Sequence, residues 1–174
     1  DSCSIAGAER FIIHARKAWL NGLNPKENRT IPPLQYERVE KLKKNRPALI
    51  IELNGGINTI NDCIKTLKVF DGVMVGRAAY SNPFIWKNID SMIYGEREKK
   101  LSRSKIIRKI IPFVQKHLEE NGRVWNFSRH IINLINNIPN AKVLRTELSE
   151  NSQNKKSDIS ILKKIAQQLE DAGH

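Results

Sequence analysis

Two glycine turns, each closing a short apolar strand within Leu49–Pro83, constrain this chain more than any other feature. Leu49, Ile50, Ile51, Glu52 and Leu53 form a mostly apolar run that ends at Asn54-Gly55-Gly56, the pattern of a buried parallel strand and its loop. Ile60, Cys63, Ile64 and Leu67 then recur at helical spacing. Thr59, with Asp62 three residues on, supplies a capping-box start. Val73-Met74-Val75 is a second apolar strand, closed by Gly76-Arg77. Phe11-Ile12-Ile13 upstream makes a third strand, and the helical stripe Tyr36–Lys44 lies between it and Leu49. Strands alternating with helices in this order require a parallel sheet, so the front of the chain is α/β.

Glycine after a strand lets backbone N–H groups approach a ligand without a Cβ in the way. A following helix N-terminus adds partial positive charge, and Arg77 can present a fork of donors to phosphate oxygens. The glycine pairs are therefore either tight βα turns or a phosphate cradle, and spacing alone leaves both open. His14 closes the first strand, either as a hydrogen-bonded core histidine or as a cofactor contact. Arg16 and Lys17 beside it read as solvated.

Trp19–Pro33 is a long polar stretch punctuated by Gly22, Pro25, Pro32 and Pro33, and it carries Lys26 and Arg29. Loops of that length inside a domain are usually functional or disordered. Beyond Pro83 the strand signal stops. Three apolar stripes follow at helical spacing: Ile106 to Leu118, bent at Pro112; Phe127 to Ile138, stopped by Pro139; and Ile159 to Leu169, opened by Ser157-Asp158. The polar run Glu147–Lys156 reads as a surface loop. This divides the chain into an α/β part, residues 1–90, and an all-helical part, residues 91–174.

The chain has 30 Lys and Arg against 18 Asp and Glu, a net charge of +12 spread over both parts. Such an excess points to a polyanionic partner, most often nucleic acid, unless it is simply a solvated surface. No apolar run approaches the ~18 residues a membrane helix needs. The opening DSCSIAGAER lacks a signal-peptide pattern. Cys3 and Cys63 stand far apart with no Cys/His cluster, so neither a disulfide framework nor a metal site is expected and a cytoplasmic location is.

The runs FIIHARKAWLNGLNPKENRTIPPLQYERV, LNGGI and DGVMVGRAAYSNPF resemble the tRNA-dihydrouridine synthases, the A type in particular. SRHIINLINNIPNAKVLRTELSEN resembles the helical-domain signature of the same family, so the likeness covers nearly the whole chain. The resemblance implies the C-terminal part of an FMN-binding TIM (β/α)₈ barrel followed by an all-helical tRNA-binding domain. It implies reduction of a D-loop uridine, at position 20 or 20a, to dihydrouridine, with NADPH as reductant through FMN. It further implies FMN contacts at His14, Asn54, Gly55, Gly56, Gly76 and Arg77, tRNA contacts at Lys26, Arg29, Lys142 and Arg145, and a monomer at full length.

The family's acid, a cysteine on an earlier barrel loop, has no counterpart at Cys3 or Cys63. No catalytic residue is therefore assigned, and the chain is expected to be a C-terminal portion, inactive by itself. The alternative is a tRNA-binding module without catalysis. A flavin barrel acting on a small molecule is a further alternative, and the net charge speaks against it.

Overall fold

The computed structural model describes residues 2–174. They divide into two compact units, the first ending at Ala79 and the second spanning Tyr80–His174. The sequence reading drew its boundary after residue 90.

In the first unit a short helix α1 (Ser2–Ile5) precedes strand β1 (Arg10–His14). Helix α2 (Tyr36–Asn45), strand β2 (Ile50–Asn54), helix α3 (Ile60–Thr66) and strand β3 (Gly72–Met74) follow. The strands form a parallel sheet in the order β1-β2-β3, with Arg10–His14 in register with Ile50–Asn54 and Glu52–Asn54 with Gly72–Met74. Parallel order follows from the helical crossovers, which return each strand in the same direction.

Alternation along the strands separates two faces. Ile51 and Leu53 point into a small core with Val39, Ile57, Ile60, Cys63 and Phe70. On the other face Ile12, Ile50 and Met74 are exposed, Ile12 at 57%. The open sheet is thus covered on one face and bare on the other. On the bare face Glu52 is buried nonetheless, because Arg10 on β1 ion-pairs with it. Gly72 opposite leaves room, since a Cβ there would sit 2.7 Å from Glu52 Cγ. At the strands' N-terminal ends Asp71 accepts from the Ile51 N–H at 2.8 Å and pairs with Lys43 Nζ at 2.7 Å. The Lys43 hydrogen bond first, then that of the Ile51 amide, lowers the Asp71 pKa.

Helix α4 (Arg77–Ser81) spans the division between the units. The second unit contains only helices among its described residues: α5 (Ile89–Tyr94), α6 (Arg103–Glu119), α7 (Trp125–Ile131), α8 (Ala141–Gln153) and α9 (Ser160–Asp171). Two 3₁₀ turns, Pro83–Trp86 and Ile132–Ile135, complete it. Its core joins Ile107 and Val114 of α6 to Leu144 and Leu148 of α8 and to Leu162, Ile165, Ala166 and Leu169 of α9. Arg103 is buried there with no carboxylate partner among the described residues. Its Nε donates to the Leu134 carbonyl at 2.8 Å, and its guanidinium lies 3.9 Å from the Phe84 ring centroid. Desolvation lowers its pKa. No helix of the described residues is long and apolar enough to cross a membrane.

Two expectations are corrected. Most of Glu147–Lys156 is not a surface loop: residues 147–153 belong to α8. Leu144, Leu148 and Ser152 recur every four residues and are buried, a stripe too narrow to stand out among Glu147, Glu150 and Asn151. The stripe from Phe127 to Ile138 is not one helix either, because α7 tightens into the 3₁₀ turn at Ile132. Three sequence stripes thus correspond to more helices than expected.

Candidate functional site

The C-terminal ends of the three strands bring His14, Asn54 and Met74 side by side, as the register dictates. His14 Nδ1 lies 3.3 Å from the Asn54 carbonyl oxygen. Asn54 Nδ2 donates to the Met74 carbonyl at 2.7 Å and so ties the first glycine turn to the strand that leads into the second. Tyr36, at the start of α2, donates its hydroxyl to the Gly55 carbonyl at 2.7 Å. Burial first, then the Asp62 carboxylate, pushes the Tyr36 pKa up, which keeps the phenol a donor.

The glycines differ in what they are needed for. Gly55 (φ +108°) and Gly56 (φ +74°) adopt backbone conformations closed to most residues. A Cβ on Gly55 would lie 2.6 Å from His14 Nδ1, and one on Gly56 would lie 2.5 Å from the Tyr36 hydroxyl. The fold itself explains both. Gly76 is different: a Cβ there meets nothing within 4 Å, and its φ is not positive. Its bareness serves open space. Among the described residues the backbone N–H groups of Gly55, Gly56, Gly76 and Arg77 have no protein acceptor.

The expected help from helix N-termini is revised. Asp62 already accepts the N–H groups of Asn58 and Thr59, and Thr59 accepts that of Asp62, completing the anticipated capping box. A carboxylate therefore fills the anion position at the start of α3. Helix α4 has five residues, too few for a strong dipole. What remains at the second turn is the Gly76 and Arg77 amides and the guanidinium of Arg77. One nitrogen of that guanidinium, Nη2, donates to the Arg29 carbonyl at 2.8 Å.

That bond reaches the long loop between β1 and α2, which is ordered from within. Arg16, taken from sequence as solvated, is its clasp: Nη1 donates to the Thr30 carbonyl at 3.2 Å and to that of Pro32. Arg16 and Leu34 also form an antiparallel bridge that closes the loop's base. Asn24 accepts the N–H groups of Lys26 and Glu27, starting the 3₁₀ turn Glu27–Arg29. Lys26 and Arg29 are exposed on it. The role of Arg16 was missed because its acceptors are carbonyls, which leave no trace in a sequence; the paired prolines at 32 and 33 were the one available hint.

His14, Asn54, Gly55, Gly56, Gly76, Arg77, Lys26 and Arg29 are thus joined at one end of one sheet. Lys142 and Arg145 belong to the second unit, both on α8, where they line an open depression with Asn133, Thr146 and Ser149. Arg145 Nη1 donates to Asn136 Oδ1 at 2.5 Å, which fixes its direction. Of the two cysteines, Cys3 is exposed on α1 and Cys63 is buried on α3, where desolvation raises its thiol pKa.

The family model described as dihydrouridine synthase (Dus) matches residues 2–170. This chain belongs to the dihydrouridine synthase family. Among curated relatives, it is 42% identical to a tRNA-dihydrouridine(20/20a) synthase of Shewanella oneidensis over 170 residues, 98% of this chain and 51% of that protein. A protein of the same description from Synechocystis is 48% identical over 147 residues, 84% of this chain and 44% of its own. The Escherichia coli K12 relative is 43% identical over 154 residues, covering 88% and 45%. The chain spans about half the length of these dihydrouridine synthases.

Proposed function

We propose that the protein carrying this chain is a tRNA-dihydrouridine synthase that reduces uridine 20 or 20a of the tRNA D-loop, with FMN as cofactor and NADPH as reductant. The observation that carries the reading is the 42–48% identity, over 84–98% of this chain, to relatives of that description. On this reading the three parallel strands are the last of an eight-stranded barrel. The helical unit is a tRNA-binding domain, and the protein is a cytoplasmic monomer.

The residues present fit FMN. The unclaimed Gly76 and Arg77 amides, the free space beside Gly76 and the remaining Arg77 donors suit a dianionic phosphate. Gly55 and Gly56 offer two further amides, and exposed His14 and half-buried Asn54 stand beside them at the same end of the sheet. When bound, FMN supplies hydride to the uracil ring. This chain's residues hold and orient: Tyr36 fixes the first glycine turn, Asn54 the second strand, Arg77 the loop that carries Lys26 and Arg29. No acid is assigned within the chain, since Cys63 is buried with a raised pKa and Cys3 lies at the strands' far end. On the family's pattern the acid is a cysteine outside this chain.

Full-length protein given FMN, NADPH and an unmodified tRNA transcript should form dihydrouridine at position 20 or 20a, read by primer extension and nucleoside mass spectrometry. Binding of tRNA without any dihydrouridine would instead identify a non-catalytic RNA-binding module.

A further inference from the structure

The loop between β1 and α2 presents an apolar tip that the flavin site does not use. Leu20 is 91% exposed and Trp19 40%, and Ile31 on the returning limb of the loop is also exposed. Single exposed apolar residues need no explanation, but an adjacent aromatic and aliphatic pair on an ordered loop does. Asn28 holds the backbone of Trp19 from both sides. Its Oδ1 accepts the Trp19 N–H at 2.9 Å, and its Nδ2 donates to the Trp19 carbonyl at 2.8 Å. Glu27 Oε2 accepts the Asn24 N–H at 2.8 Å, and Arg16 closes the base. The ordering entropy that a flexible loop would lose on binding has already been lost in folding.

The surroundings are cationic. Lys17, Lys26 and Arg29 are exposed on the same loop. Glu27, the one acid in residues 16–30, spends its carboxylate on the loop's own backbone. A flat ring and a branched aliphatic chain on a loop that also carries exposed cations match a nucleobase between its phosphates. Bases have a π-face for the indole, single strands can be splayed open, and the backbone meets the lysines and arginine. An apolar wedge beside an indole is also how proteins hold bases unstacked.

We infer that the Trp19–Leu20 tip is a positioning element for RNA: it stacks on and wedges beside an unpaired base next to the target uridine. The inference rests on the proposed function and adds an apolar contact to its phosphate contacts. The Arg77–Arg29 bond links the tip's loop to the second glycine turn, so the base held by the tip is a near neighbour of the one offered to the flavin pocket.

Trp19→Ala and Leu20→Ala in the full-length protein test it, with an unmodified tRNA transcript as probe. Each should weaken tRNA binding about five- to a hundredfold, the range for one lost base contact. The slope of log affinity against log salt should not change, because no phosphate contact is removed. Trp19→Phe, which keeps a ring, should recover most of the affinity. The RNA-free melting temperature of Leu20→Ala should match wild type, since that side chain is 91% exposed. Unchanged affinity in both alanine variants would overturn the inference while leaving the proposed function intact. A fall in the RNA-free melting temperature of Leu20→Ala would also overturn it, placing the tip against protein instead. A wild-type protein that binds no tRNA would remove the proposed function, and this inference with it.

Discussion

At the scale of single residues, the glycines separate a requirement of folding from one of binding. Gly55 must be glycine for the fold: its φ is +108° and His14 occupies the space where a side chain would begin. Gly55→Ala should therefore destabilise the protein by about 1–3 kcal/mol, measured by urea unfolding without flavin. Gly76→Ala should leave that unfolding midpoint in place, since neither backbone strain nor a neighbour opposes a methyl group there. Its added Cβ intrudes on the space offered to phosphate, so FMN affinity should fall about tenfold or more in a flavin-fluorescence titration. If Gly76→Ala binds FMN like wild type, the phosphate lies elsewhere.

At the scale of elements, α3 is set by its cap and α8 by its partners. The Asp62 pKa is lowered, first by the hydrogen bond from the Asn58 amide and then by Thr59. A carboxylate depressed on folding contributes stability that is present above the ordinary aspartate pKa, near 3.8, and lost as pH falls through the lower folded value. Asp62→Ala should cost about 0.5–1.5 kcal/mol at pH 7, and its difference from wild type should shrink below about pH 4. Denaturant titrations at pH 7 and pH 3 measure both. A deficit as large at pH 3 as at pH 7 would mean that the charge is not what holds this cap. The seven-residue α3 announces itself through that cap, whereas the thirteen-residue α8 does not. Its stability comes from Leu144 and Leu148 meeting α9 and the turn after α7, and isolated propensity is a small part of that.

For the whole molecule, the net charge of +12 gains direction from where the cations stand. Lys142 and Arg145, three residues apart, share one face of α8 and line the same depression. If each neutralises an RNA phosphate, Lys142→Ala with Arg145→Ala in the full-length protein should flatten the salt slope by about 0.7–0.9 per contact. The apparent Michaelis constant for tRNA should rise, and NADPH oxidation without RNA should stay as in wild type. An unchanged slope would return both residues to the solvated surface.

Local chemistry was legible in the sequence wherever one short stretch determines it. The three strands, the Thr59–Asp62 cap and the glycine turns depend on neighbours a few residues apart, so pattern and turn chemistry locate them. The family was legible too, through the long runs around His14 and Lys26. Tertiary structure alone decided what depends on distant partners. Arg16 became a clasp because the carbonyls of Thr30 and Pro32 return to it, and Arg103 became a buried cation because Phe84 and Leu134 enclose it. Gly55 and Gly76 read alike as letters; only the His14 ring beside one and open space beside the other distinguish them. Backbone carbonyls and empty space are identical for every residue type, which is why no sequence pattern records them.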